Sequence, residues 1–281
     1  MVTPFHADGS LDLDGAAKLA GYLVDECAHD GLVISGTGGE SPTTTDAEKA
    51  DLLAAVVDAV GDRAAVLAGV GTFDTRHTVE LAETAAATGA DGLLVVTPYY
   101  SRPPQAGLLR HFRTVADATE LPVMLYDIPH RSGVPIQTET LLALAEHERI
   151  VAVKDAKSDL AATAAVLAAT DLAYYSGDDA LTLPLLSVGA VGLVGTSTHF
   201  TGQLAAAMIH AYVAGDTAEA LRLHRQCLPV FTGVFMTQGA IMVKAGLALR
   251  GRGVGPVRSP LVDATPEQVE AFAACLHSAG L

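Results

Sequence analysis

Ile150-Val151-Ala152-Val153-Lys154-Asp155 reads as a strand with apolar residues on both faces that ends in two charges. A strand covered on both sides shows a continuous apolar run instead of alternation, and such strands belong to parallel sheets. Working outward, comparable runs recur at Leu32–Ile34, Ala65–Ala68, Leu93–Val96, Val123–Tyr126, Ala173–Tyr175 and Val191–Val194. Between them lie alanine-rich amphipathic stretches such as Asp46–Val60 and Thr75–Thr88. The runs start roughly 20 to 35 residues apart, the length of a strand-helix unit.

Seven such strands, with a fragment at Met1-Val2-Thr3, make eight. The expected fold class is α/β, a (β/α)8 TIM barrel with a C-terminal helical extension and a first strand that is truncated. An open doubly wound sheet fits less well, because no GxGxxG fingerprint follows the first complete strand. From about Thr201 the strand signal stops and helical periodicity runs through Leu204–Ala214, Ala218–Cys227 and Pro266–His277. The expected division is a barrel catalytic domain over 1–200 and a helical region over 201–281.

The net charge of −15 argues against phosphate backbones and anionic membranes as partners. No apolar stretch is long enough to span a membrane, and no charged and apolar leader opens the chain, so the expected location is cytoplasmic. Cys27, Cys227 and Cys275 are odd in number and widely spaced, and read as small apolar residues. No HxH, HExxH, Cys-x-x-Cys, GxSxG or GxxxxGK motif occurs, so the sequence supports neither a metal site nor a serine hydrolase.

In parallel barrels the chemistry sits at the carboxyl ends of the strands. Those ends read Gly36-Thr37-Gly38-Gly39-Glu40, Thr97-Pro98-Tyr99-Tyr100, Tyr126-Asp127-Ile128-Pro129, Lys154-Asp155, Gly177-Asp178-Asp179 and Gly195-Thr196. An ammonium at Lys154 would lose water, which disfavours its charged form and leaves an amine able to attack a carbonyl. The other lysines, at positions 18, 49, 157 and 244, read as helix or loop positions among polar or small neighbours. Tyr126 ends the preceding strand in sequence and is a candidate proton relay for the steps from carbinolamine to imine to enamine. At Gly36–Glu40 the glycines let backbone N–H groups converge on an anion, although a plain strand-to-helix turn uses glycine in the same way.

Taken together these segments resemble the dihydrodipicolinate synthase family of class I, pyruvate-dependent aldolases. The matching stretches are Val2-Thr3-Pro4-Phe5, Gly36–Ser41, Val95 with Thr97–Tyr100, Leu125–Pro129, Val153–Asp155 and Ser176–Asp179. The resemblance implies that Lys154 forms an imine with pyruvate, with no metal and no other cofactor. It implies a relay of Tyr126, Thr37 and Tyr100, Tyr100 reaching in from a neighbouring subunit of a homotetramer built as a dimer of dimers. Gly36, Gly38, Gly177 and Val194 would line the bound keto acid. Arg131 would bind the carboxylate of aspartate semialdehyde, a pairing suited to planar guanidinium. The implied reaction is the condensation that gives 4-hydroxy-tetrahydrodipicolinate, on the way to diaminopimelate and lysine.

Three departures from the family pattern leave alternatives open. Gly38 stands where a second threonine is usual, so one hydroxyl for the keto-acid carboxylate is missing. The chain starts inside what should be the first strand, where relatives carry about a dozen more residues. Gly195 and Thr196 replace serine and valine, and Asp46, Lys49, Phe73 and His77 replace the polar pattern of a lysine-feedback site. The alternatives are another pyruvate aldolase of the superfamily, acting on a sugar acid or other aldehyde, and a paralogue that binds a keto acid without turning it over.

Overall fold

A computed structural model describes Met1–Leu281. Its strands are β1 (Gly31–Ile34), β2 (Ala65–Gly69), β3 (Gly92–Val96), β4 (Val123–Asp127), β5 (Ile150–Asp155), β6 (Ala173–Ser176) and β7 (Gly192–Leu193). They form one sheet in chain order, and the pairs from β2 to β7 are all parallel. The five residues of β4 are buried without alternation, as a strand covered on both faces requires. The fold is therefore parallel α/β.

Local signals place the helices. Thr45 and Glu48 form a reciprocal capping box at the start of Asp46–Val60, satisfying two backbone donors that the first turn leaves open. Asp74 caps Thr75–Thr88, and Gly89 closes that helix in a left-handed conformation. Thr265 and Gln268 repeat the capping box at Pro266–Ser278.

The chain falls into two compact units, Leu67–Val194 and a discontinuous one made of Met1–Val66 with Gly195–Leu281. The first holds most of the sheet. In the second, the C-terminal helices pack with the N-terminal 66 residues.

Three elements differ from the sequence reading. Met1–Thr3 is not a strand: the Met1 amine donates to the Val33 carbonyl at 2.9 Å, but no ladder follows. β7 shrinks to two residues, because Val194 already leaves the strand after donating its N–H to Ser176. A helix at Gly239–Leu249 has no counterpart in the periodicity, since residues all around it are buried and no polar stripe marks it.

One buried histidine ties the discontinuous unit together. The Val2 N–H donates to His199 Nε2 at 3.2 Å, so Nδ1 carries the proton and donates to the Thr196 carbonyl at 2.9 Å. Burial drives His199 down to about 3 from 6.5, keeping it neutral. An unfolded chain takes up a proton below 6.5 that the folded chain refuses, so this contribution to stability is complete above pH 6.5 and is lost as pH falls toward 3. Urea unfolding from pH 4 to 8 should show His199→Gln losing a pH slope of up to about 1.4 kcal/mol per unit relative to the parent. Identical slopes would mean that His199 charges as readily in the folded protein as in the unfolded one.

Candidate active site

Within Leu67–Val194, strand pairing brings the lysine and its tyrosine together. Tyr126 of β4, Lys154 of β5 and Tyr175 of β6 are register partners, and register partners in a parallel sheet share a face. Lys154 Nζ lies 4.3 Å from the centroid of the Tyr126 ring, within cation–π range. Tyr126 is buried and Lys154 half-buried, so the amine has one apolar wall and an open side. The Tyr126 carbonyl is held by the Thr97 N–H at 3.0 Å and the Thr97 hydroxyl at 3.2 Å, which fixes the strand end carrying the ring.

The opposite face of the same strand ends carries carboxylates, because side chains alternate along a strand. Asp155, adjacent to Lys154 in sequence, points away from it. Its oxygens accept from the Lys157 N–H at 2.8 Å and from the Thr163 hydroxyl. Asp127 is its register partner, accepts from the Ile136 N–H at 3.1 Å, and pairs with Lys157 Nζ at 3.4 Å. Burial pushes Asp127 up to about 6, against the pull of Lys157. Lys157 also donates to the Ile136 carbonyl at 3.2 Å, so its ammonium is committed on the carboxylate side.

Gly177 closes the approach to Lys154. A Cβ there would stand 3.0 Å from Lys154 Cγ and 3.1 Å from the Asp155 carbonyl oxygen, tighter than packing normally allows. The Gly177 N–H donates to that same carbonyl at 2.7 Å, and the Val194 N–H to the Ser176 carbonyl at 2.9 Å. Arg131 sits exposed on the short helix Pro129–Ser132, which follows β4 directly. Tyr100 lies after β3 with φ 70° and is 94% exposed, so its ring contacts almost nothing within this chain.

Gly36, Thr37 and Gly38 belong to the discontinuous unit, on the loop after β1. The loop is a tight turn in which the Gly39 N–H donates to Gly36 at 3.0 Å and the Glu40 N–H to Thr37 at 3.3 Å. No hydrogen bond within the chain takes up the N–H groups of Thr37 and Gly38, which leaves two adjacent donors for an anion. Gly38 has no left-handed φ, and a Cβ there would meet nothing within 4 Å. Its backbone does not require glycine.

The family model described as "Dihydrodipicolinate synthetase family" matches residues 1–279. The chain belongs to this family. The 4-hydroxy-tetrahydrodipicolinate synthase of Acidothermus cellulolyticus is 69% identical over 280 residues, covering 100% of this chain and 91% of its own. The synthase of Cutibacterium acnes is 63% identical over 272 residues, 97% of this chain and 93% of its own. Among solved structures, DHDPS from Cyanidioschyzon merolae with lysine bound superposes with a TM-score of 0.98 at 41% identity, covering 100% of this chain and 96% of that one. The likeness to the synthetase family thus runs through both compact units of the chain.

Sequence reasoning missed one group beside the family loop. Glu40, with φ 55° and ψ 36°, adopts the left-handed region at a cost of about 1–2 kcal/mol for a residue with a Cβ. Its carboxylate is buried against Lys244, Nζ to Oε1 2.7 Å, and accepts from the Arg258 N–H at 2.8 Å. Lys244 is 4% exposed, so its reading as a lysine among polar or small neighbours is corrected: its helix is buried all round. The Met242-Val243-Lys244 run, a lone lysine in an apolar stretch, was the available signal.

Proposed function

We propose that the protein is a Schiff-base-forming lyase that condenses pyruvate with L-aspartate 4-semialdehyde to 4-hydroxy-tetrahydrodipicolinate, and that it does so on a TIM-barrel-type fold. The observation that carries this reading is Lys154 Nζ seated 4.3 Å from the Tyr126 ring on paired strand ends, in a chain whose relatives are such synthases.

The Lys154 amine attacks C2 of pyruvate, and loss of water from the carbinolamine leaves the imine. The imine draws electrons from the methyl carbon, a proton leaves, and the enamine carbon attacks the aldehyde of the second substrate. The amino nitrogen of that substrate then displaces Lys154 from C2, closing the ring and freeing the amine. Tyr126, Thr37 and Tyr100 carry the protons, and Lys154 itself serves as the electron sink, so the sequence of steps calls for no cofactor. The free N–H groups of Thr37 and Gly38 support a carboxylate grip at that loop, with Gly36, Gly177 and Val194 lining the keto acid. Arg131 receives the carboxylate of the semialdehyde. The exposure of Tyr100 supports its completing the relay of a neighbouring subunit, in a dimer of dimers. No disulfide joins Cys27, Cys227 or Cys275, which supports a reducing, cytoplasmic setting.

Supplying pyruvate with a panel of aldehydes and identifying the product tests the reading. The cyclic product from aspartate semialdehyde is expected; turnover of a sugar-derived aldehyde in its place would assign the protein to another aldolase activity.

Because a side chain at Gly38 meets open space and needs no special backbone, Gly38→Thr is expected to fold normally and to tighten pyruvate binding by about ten- to a hundredfold at most, the worth of one added hydrogen bond to a charged group. It should also disfavour 2-oxobutyrate relative to pyruvate. Pyruvate binding no tighter, with an unchanged ratio of kcat/KM for the two keto acids, would show that Gly38 does not tune keto-acid choice.

A further inference from the structure

We propose that Lys244 is a positioning residue for the keto-acid grip, acting through Glu40 on the loop Gly36–Ser41. The inference rests on the function proposed above and adds a residue that no part of it employs.

The two free donors, Thr37 N–H and Gly38 N–H, are useful only if their directions are fixed before the carboxylate arrives. The loop's own hydrogen bonds cannot fix them alone. Beyond the Gly39 to Gly36 bond, the turn is closed by long contacts, Glu40 to Thr37 at 3.3 Å and Ser41 to Gly36 at 3.4 Å, and it contains a glutamate in the left-handed region. Two outside anchors hold it. On one side the Thr3 hydroxyl donates to the Gly39 carbonyl at 2.6 Å, in a buried bond.

The second anchor is the charge cluster around Glu40. Lys244 Nζ pairs with one carboxylate oxygen at 2.7 Å and donates to the Pro256 carbonyl at 2.7 Å, while lying 4.4 Å from the Phe5 ring centroid. The Arg258 N–H takes the other oxygen at 2.8 Å, and the Arg258 guanidinium continues to Glu48, Thr43 and Gly9. Glu48 is itself held down to about 2 by that guanidinium, so the outer pair stays charged. Glu40 therefore stands two residues from Gly38 with its head clamped between a buried helix and the Pro256–Arg258 segment. Without the ammonium, a buried carboxylate oxygen loses its counter-charge and the head must leave for water, taking the turn with it.

The test compares kcat/KM for pyruvate with kcat/KM for aspartate semialdehyde in two variants. In a mechanism where the semialdehyde meets an enamine already formed, each ratio reports its own half-reaction. Lys244→Met is expected to lower the pyruvate value about tenfold more than the semialdehyde value, because the loop captures the carboxylate in the pyruvate half-reaction alone, whereas its Thr37 relay serves both. Glu40→Gln/Lys244→Met, which removes both charges of the pair together, is expected to recover thermal stability and keep the pyruvate defect. It carries the test if the single variant does not fold. Equal losses in both ratios, or none, would make Lys244 a purely structural residue and overturn the proposal. If the parent protein forms no imine with pyruvate, the functional reading falls and this inference falls with it. An imine in the parent with an unmoved pyruvate value in both variants removes the inference alone.

Discussion

Borohydride added to the protein in the presence of pyruvate is expected to fix a reduced pyruvyl group on Lys154, and Lys154→Ala should lower kcat/KM by about a thousandfold or more. The expectation follows from the two faces of β5. Lys154 shares its face with Tyr126 and Tyr175, while Asp155 faces the other way and is occupied by Thr163 and the Lys157 N–H, so no carboxylate next in sequence ties up the attacking amine. Lys157, three residues on, supplies the internal control. Its ammonium pairs with Asp127 at 3.4 Å and donates to Ile136 at 3.2 Å, so it should stay unlabelled. Peptide mapping by mass spectrometry reads both sites at once. An unmodified Lys154, or equal modification of Lys157, would remove the aldolase reading.

Replacing Arg131 by alanine should lower kcat/KM for aspartate semialdehyde ten- to a hundredfold, from the loss of about 1.5–3 kcal/mol in a charge-assisted contact, while the imine forms as before. The turn that presents Arg131 does not depend on its side chain. The Ser132 hydroxyl holds it from inside, donating to the carbonyls of Ile128 at 3.1 Å and Val134 at 2.9 Å, and Gly133 closes it at φ 80°. The loss therefore reports binding and not collapse of the loop. Arg131→Lys should recover only part of it, because an ammonium cannot engage a carboxylate through two parallel donors. Unchanged kinetics with the semialdehyde would mean that a different aldehyde is the substrate.

What could be read from the sequence follows a physical line. Continuous apolar runs located all seven strands, because strands covered on both faces leave no other pattern. Asp46–Val60 and Thr75–Thr88 were legible to the residue, since their caps are local in sequence. Pairing of consecutive parallel strands was enough to bring Tyr126 beside Lys154. Glu40 with Lys244 and Arg258 was not legible. Its members lie some two hundred residues apart, one of them sits on a helix that periodicity does not reveal, and another in a segment without regular structure. The Met1–Thr3 fragment was misread for a related reason: an extended conformation is local, but a ladder needs a partner backbone aligned along its length, and only Met1 finds one.

The discontinuity of the unit formed by Met1–Val66 and Gly195–Leu281 sets an order of events during synthesis. Residues that hold the Gly36–Ser41 turn leave the ribosome at opposite ends of translation. At about 5–20 residues per second, Glu40 waits on the order of ten seconds or more before Lys244 and Arg258 emerge. Throughout that interval the nascent chain carries a carboxylate bound for burial with no cation to meet it, and Val2 has no His199 to bond. Leu67–Val194, whose residues are translated together, is free to assemble during the wait. Lys154 can thus be in place on its strand well before the turn beyond β1 acquires its final shape, and a nascent chain halted short of Arg258 would leave Glu40 without the partners that bury it.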